Sequence, residues 1–131
     1  MPKGHLIEGE KGTVIIDDTY NSNPAGAAAA LDLLCSLPGE GRRVVVTPGM
    51  VELGPRQFDE NRLFAEAMGS RVTDLVAVNL TNRAALLEGS KGNGVAVTVV
   101  GSRQEAVEWV RSHLGPGDAV LYENDLPDHY P

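Results

Sequence analysis

No stretch of this sequence carries a Gly-x-x-x-x-Gly-Lys-[Ser/Thr] phosphate loop, and no Gly-x-Gly-x-x-Gly follows an apolar run. Without those backbone cradles the polypeptide, taken alone, is not expected to hydrolyse a nucleoside triphosphate or to hold a dinucleotide in the usual way. No apolar run approaches the ~20 residues of a membrane span, and Met1-Pro2-Lys3-Gly4 does not open a signal peptide. Basic residues are the minority, 11 against 18 acidic ones, for a net charge of -7. That balance argues against a nucleic-acid backbone or an anionic membrane as the main partner. The single cysteine, Cys35, falls among Leu31, Leu34 and Leu37 on an apolar helix face. With no histidine near it in sequence, it reads as a buried core thiol rather than a nucleophile. His5, His113 and His129 are scattered and show no metal spacing. A cytoplasmic protein is the simplest expectation.

What is present is a chain of 131 residues, 42% hydrophobic, enough for one domain with its own core. Short apolar runs alternate with helical patterns. Strands are predicted over Thr13 to Asp17, Arg43 to Thr47, Leu75 to Val78, Val95 to Val100 and Ala119 to Tyr122. Helices are predicted over Pro24 to Leu37, Gln57 to Met68, about Asn82 to Glu88, and Arg103 to Leu114. Continuous Val/Ile/Leu strands imply burial on both faces of a parallel sheet, and the alternation with helices implies βαβ units. The expected fold is a three-layer, Rossmann-like α/β domain with a mostly parallel sheet of about five or six strands. There is no internal repeat and no low-complexity segment.

Val14-Ile15-Ile16-Asp17-Asp18-Thr19-Tyr20-Asn21-Ser22-Asn23-Pro24 is the densest local signal. A β-branched run ends in two carboxylates, and a polar turn then enters an alanine-rich helix. Asn23 and Pro24 suit the N-cap and first helical positions, since Asn accepts from free N–H groups and Pro has none to satisfy. Two further polar clusters, Thr47 to Glu52 and Tyr122 to Asp128, also follow strands. In a parallel sheet all three line the carboxyl edge, where open α/β folds bind ligands.

The run Asp17-Asp18-Thr19-Tyr20-Asn21-Ser22-Asn23-Pro24 matches without a mismatch a motif that opens the last domain of the ATP-dependent Mur ligases. The branch it resembles most closely adds D-alanyl-D-alanine to a UDP-N-acetylmuramoyl tripeptide. A second family motif, Gly-Asp-Met-Leu-Glu-Leu-Gly, is matched in part by Pro48-Gly49-Met50-Val51-Glu52-Leu53-Gly54. The resemblance runs from about residue 5 to about residue 122. It implies that residues 13–131 are a Mur ligase C-terminal domain, and that residues 1–12 are a linker or edge strand arriving from a central domain. It further implies ATP and Mg²⁺ as cofactors, held mainly by that central domain, with a UDP-sugar site on an N-terminal domain. The partners would be those two domains, a UDP-muramoyl peptide and an amine. An isolated C-terminal domain is then expected to be inactive, and to act in the parent by closing over ATP and positioning the amine.

On this reading Asp18 accepts hydrogen bonds from the ribose; its alternative is to cap the following turn. Asp17 is expected to point the other way and support the loop. Tyr20 packs beside a base or sugar, or is simply half-buried; Asn21 reaches the nucleotide or its metal; and Asn23 is a nucleotide contact or, better, a cap. On the amine side stand Gly49, Met50, Glu52 and Asn124, the loop backbone being free to approach an amine or a phosphate. Two departures from the family matter: Pro48-Gly49 replaces its Gly-Asp, and Glu123-Asn124-Asp125 stands where a Lys-Gly-Ser is usual. Acids in place of a cation change what can dock there. Thr81-Asn82-Arg83 reads as a cap for a short helix, with Arg83 on the surface.

Two rival readings come from other classes. A non-catalytic module of the same fold would bind a nucleotide or a partner without chemistry. A response-regulator receiver also has acids after its first strand, but it needs an aspartate after the third and a lysine after the last. This chain has Val78-Asn79 and Tyr122-Glu123-Asn124 there.

Overall fold

A computed structural model describes residues 5–8, 12–19 and 23–124. Among them six strands and four α-helices follow in the order β1 (His5–Glu8), β2 (Val14–Asp18), α1 (Pro24–Ser36), β3 (Arg43–Thr47), α2 (Gln57–Glu66), β4 (Asp74–Val78), α3 (Arg83–Ser90), β5 (Ala96–Val100), α4 (Arg103–His113) and β6 (Ala119–Glu123), with a 3-10 turn, Gly54–Arg56, leading into α2. They form one sheet in the order β1-β2-β6-β3-β4-β5. The five strands from β2 to β6 are mutually parallel, and β1 runs antiparallel along the outer side of β2. The mostly parallel α/β sheet read from the sequence is therefore the fold observed.

Helices α1 and α4 begin where a side chain satisfies a free N–H group. The Asn23 side chain accepts from the Gly26 N–H at 2.8 Å with Pro24 following, and Ser102 caps α4 through the Glu105 N–H at 3.2 Å. Helix α1 stops before Pro38, and the buried Arg43 closes its end by donating to the Leu37 and Gly39 carbonyls at 2.7 and 2.8 Å.

Helices α1, α2 and α3 cover one face over a core that includes Ile16, Leu31, Leu34, Val45, Phe64, Met68, Leu75, Leu86 and Leu121. Helix α4 alone covers the other face, over Val44, Val46, Val76, Val100, Val110 and Tyr122. Helices α2 and α3 pack tightly because Gly89 is small: a Cβ there would run into the Arg62 carbonyl.

Burial on both faces holds for β3 and β6 throughout and for β4 beyond its first residue. It fails for β5, which is an edge strand with Val99 46% exposed, and for β2, whose Val14 is 37% exposed. Both residues lie on the face of α1, α2 and α3, but at outer strands that those helices only partly cover, so apolar sequence there does not mean enclosure. Cys35 also departs from expectation. It is half-buried at the margin of the core, with its Sγ 3.9 Å from the Arg71 carbonyl, and partial burial raises its pKa.

Candidate functional site

Because β2, β6 and β3 are adjacent and parallel, their carboxyl ends bring Asp18, Glu123 and Thr47 side by side. Strand alternation sets their direction. Ile16, Leu121 and Val45 lie in the core beneath α1, α2 and α3, so residues two further on share that face. Asp17 and Tyr122 point to the other face. Asp17 supports its own turn, accepting from the Thr19 N–H at 3.2 Å. Of the expected contacts after β2, Asp18 and Asn23 are described, and Tyr20 and Asn21 lie outside the described residues. Residues 125–131 lie outside them too, Asp125 included.

Asp18 is 4% exposed and Glu123 0% exposed. Thr47 Oγ1 donates to Glu123 Oε1 at 2.7 Å and accepts from the Gly49 N–H at 2.8 Å. Glu123 Oε2 is buried with no hydrogen-bond partner. Burial pushes the Glu123 carboxyl up to about 8; the Thr47 hydrogen bond opposes that shift and the charge of Asp18 adds to it. At neutral pH Glu123 is thus mostly protonated, a neutral acid in the middle of the sheet edge.

The loop after β3 is fastened from three directions. Asn124 Nδ2 donates to the Gly49 carbonyl at 2.8 Å, while the Asn124 N–H donates to the Asp18 carbonyl at 3.0 Å. Asn61 on α2 takes the Met50 N–H at 2.8 Å and returns a bond to the Met50 carbonyl at 3.0 Å. Asn82 donates to the Pro48 and Met50 carbonyls at 2.9 and 3.0 Å and accepts from Gln57 Nε2 at 2.9 Å. Gly49 has φ 82°, and a Cβ on it would sit 2.7 Å from Asn61 Oδ1 and from Asn82. Only glycine fits that turn.

Several expectations change here. The N–H groups of Gly49 and Met50 are committed inside the protein, so this loop does not offer them to an anion. The Met50 side chain is fully buried in the core, whereas Glu52 is exposed, with φ 63°. Asn82 makes no side-chain cap to α3 and clamps the loop instead. Arg83 is half-buried, its Nη2 donating to the Val100 carbonyl at 3.3 Å. The sequence reading missed Asn61. Its signal was position: Gln57, Asn61, Phe64, Ala65 and Met68 share one helical stripe, so an amide stood on a core-facing face.

A second feature of the same edge also went unread. An open cleft of about 590 Å³ lies at the ends of β3, β4 and β5, lined by Pro48, Asn79, Ser102, Arg103, Glu108 and Arg111 among others. It sits where the connection after β4 leaves to one face and that after β5 to the other, the place where such sheets open a crevice. Arg103 stacks over the Tyr122 ring at 5.0 Å. No helix among the described residues is long and apolar enough to cross a membrane.

Comparison with known proteins agrees with this architecture. A UDP-N-acetylmuramoyl-tripeptide–D-alanyl-D-alanine ligase of Synechocystis is 31% identical over 131 residues, spanning 94% of this chain and 27% of its own length. The ligase of the same name from Mycobacterium leprae is 32% identical, over 84% of this chain and 25% of its own length. In fold, a crystal structure of MurF from Acinetobacter baumannii superposes with a TM-score of 0.75 at 24% identity, over 95% of this chain and 28% of that one. MurF ligase from Thermotoga maritima in complex with ADP gives 0.73 at 22% identity, with 95% and 27% covered. The chain thus spans about a quarter of the length of the curated relatives it matches. The model of the Mur ligase, glutamate ligase domain matches residues 5–122, the whole of the sheet and its helices but for the last residue of β6, and the chain belongs to that family.

Proposed function

We propose that this chain is the closing domain of an ATP-dependent Mur-type ligase that joins an amine to a UDP-linked muramoyl peptide in peptidoglycan precursor synthesis, in the cytoplasm. In that scheme ATP, with Mg²⁺, activates the peptide carboxyl as an acyl phosphate on other domains of the parent. This domain then folds over the nucleotide, excludes water and presents the amine. Asp18, Tyr20, Asn21 and Asn23 face the nucleotide. Gly49, Met50, Glu52 and Asn124 belong to the amine side: Gly49, Met50 and Asn124 hold the loop's shape, while the exposed Glu52 stands towards the incoming group.

One observation carries this reading. The loop after β3, rigidly clamped by Asn61, Asn82 and Asn124, lies against the acid pair Asp18 and Glu123 at a single sheet edge. The names of the relatives, ligases for D-alanyl-D-alanine, and the ADP in the Thermotoga structure support the reaction class. The departures at Pro48-Gly49 and Glu123-Asn124 leave the identity of the amine distinct from the class.

The test is amine-dependent phosphate release by the parent enzyme with a UDP-muramoyl peptide and ATP, run beside the isolated chain. The parent is expected to turn over only when an amine is supplied, and the isolated chain to stay at background and to bind ATP no better than roughly millimolar. Turnover by the isolated chain, or a parent indifferent to every amine offered, would remove this reading.

A further inference from the structure

Buried oxygens are almost always paired, because leaving one unsatisfied forfeits its hydration for nothing. Glu123 breaks that rule in an ordered part of the sheet. It lies on β6 between β2 and β3, with Oε1 fixed by Thr47 at 2.7 Å and Oε2 empty-handed. Asp18, its register partner on β2, faces the same side and adds a second carboxylate. Among the described residues, β3 contributes only the Thr47 hydroxyl beside Glu123, and the first turn of α1, Pro24 to Ala27, has no ionisable side chain. Among the described residues, then, Asp18 is the charged group that faces Glu123.

We propose that Glu123 Oε2 is the receptor for a primary ammonium, and that this ammonium is the amine of the incoming substrate. The assignment rests on the amide-forming reading above and deepens it by naming what the amine side recognises. A nitrogen cation suits the geometry better than a metal. Mg²⁺ wants six oxygens in octahedral array and retains several waters. Among the described residues no group of three His, Cys, Asp or Glu could hold a metal ion. One oxygen with an empty acceptor site, backed by a neighbouring charge, fits an N–H donor. Burial that holds Glu123 protonated when empty adds a signature, because the acid must shed its proton as the cation arrives.

The experiment tracks backbone amide resonances of the 131-residue chain while methylammonium, tetramethylammonium or Mg²⁺ is added at constant ionic strength. Methylammonium is expected to shift Asp18, Gly49 and Asn124 saturably, with tetramethylammonium, which has no N–H, and Mg²⁺ leaving them in place. Affinity is expected to rise about tenfold per pH unit between pH 6 and 8, as one proton is released per cation bound. Glu123→Gln keeps the shape and the Thr47 bond of the protonated acid, so it folds, yet binding weakens at least tenfold. Asp32→Asn, a surface acid paired with Arg71, leaves binding unchanged. An equal response to tetramethylammonium or Mg²⁺, no response, or an unaltered Glu123→Gln overturns the site. In the parent enzyme, Glu123→Gln is expected to raise KM for the amine at least tenfold with KM for ATP unchanged. An unchanged amine KM overturns the assignment to substrate and gives the site to an ammonium of the parent chain. A parent with no amine-dependent turnover at all defeats the reaction class, and the methylammonium titration then decides the site by itself.

Discussion

At the ends of β2, β6 and β3 the backbone is sealed by side chains, and the acids there are dry. At the ends of β4 and β5, a few residues further along the same edge, the cleft beside Ser102, Arg103 and Arg111 stands open to solvent. The first region is acidic and held by reciprocal amide bonds; the second carries the arginines. Position explains the contrast. Strand β6 is interior and covered by α1, whereas β5 is the sheet's edge, which α3 on one face and α4 on the other cover only in part. Charge is strengthened and its protonation shifted in the first region, and screened in the second. Recognition by a single buried group belongs to the sealed end.

The sharpest way to break this comparison is Gly49→Ala. Strain at φ 82° together with the clash on Asn61 and Asn82 should cost ~3 kcal/mol in urea unfolding. Gly54→Ala, with φ 59° but nothing within 4 Å, should cost ~1 kcal/mol. Equal losses would mean the loop is not clamped.

Acid titration is the next largest effect. The folded pKa of Glu123, about 8, lies above its ordinary value of 4.5, so the folded state binds the extra proton between them. Its stabilising contribution is fully present below about 4.5 and is lost as pH rises through about 8. Between pH 6 and 8 that amounts to ~2 kcal/mol, and Glu123→Gln should flatten the slope. Melting curves across that range check it; an identical slope in the variant would place the titrating group elsewhere.

Asn61→Leu should come after it, at ~1–2 kcal/mol, because it strands the Met50 N–H and carbonyl in the interior. In the open region Gln104→Ala, at an exposed position of the cleft wall, should stay within ~0.5 kcal/mol. A larger loss there than at Asn61 would reverse the contrast.

Legibility in the sequence divided along the same line. The apolar runs and the Asn23-Pro24 start gave every helix and all five parallel strands to within a few residues, because local chemistry sets them. The meeting of Asp18, Thr47 and Glu123 was also readable, since parallel strands leave no other place for residues at their carboxyl ends. What stayed hidden depended on distant partners. Asn82 looked like a cap because its neighbours in sequence are helical, yet its bonds go to Pro48 and Met50, more than thirty residues away. Glu123 read only as a change of charge, and its burial arises from β2, β3 and α1 closing round it. Val99 and Val14 misled in the opposite sense, as apolar residues exposed because strand order put them on outer strands, at the margin of what α1, α2 and α3 cover.

Strand order has one more consequence, for how the chain comes together in time. Strand β6 lies between β2 and β3, so Val14 meets Ala119 and Val44 meets Val120. Until those last residues leave the ribosome, β2 has nothing parallel to pair with and the β3-β4-β5 half has an open inner edge. Assembly should therefore wait on the final strand, with the slow, high-contact-order kinetics of long loops closing late. A nascent chain stopped short of Ala119 would expose two unpaired edges, and chaperone holding during synthesis is where that cost would be felt.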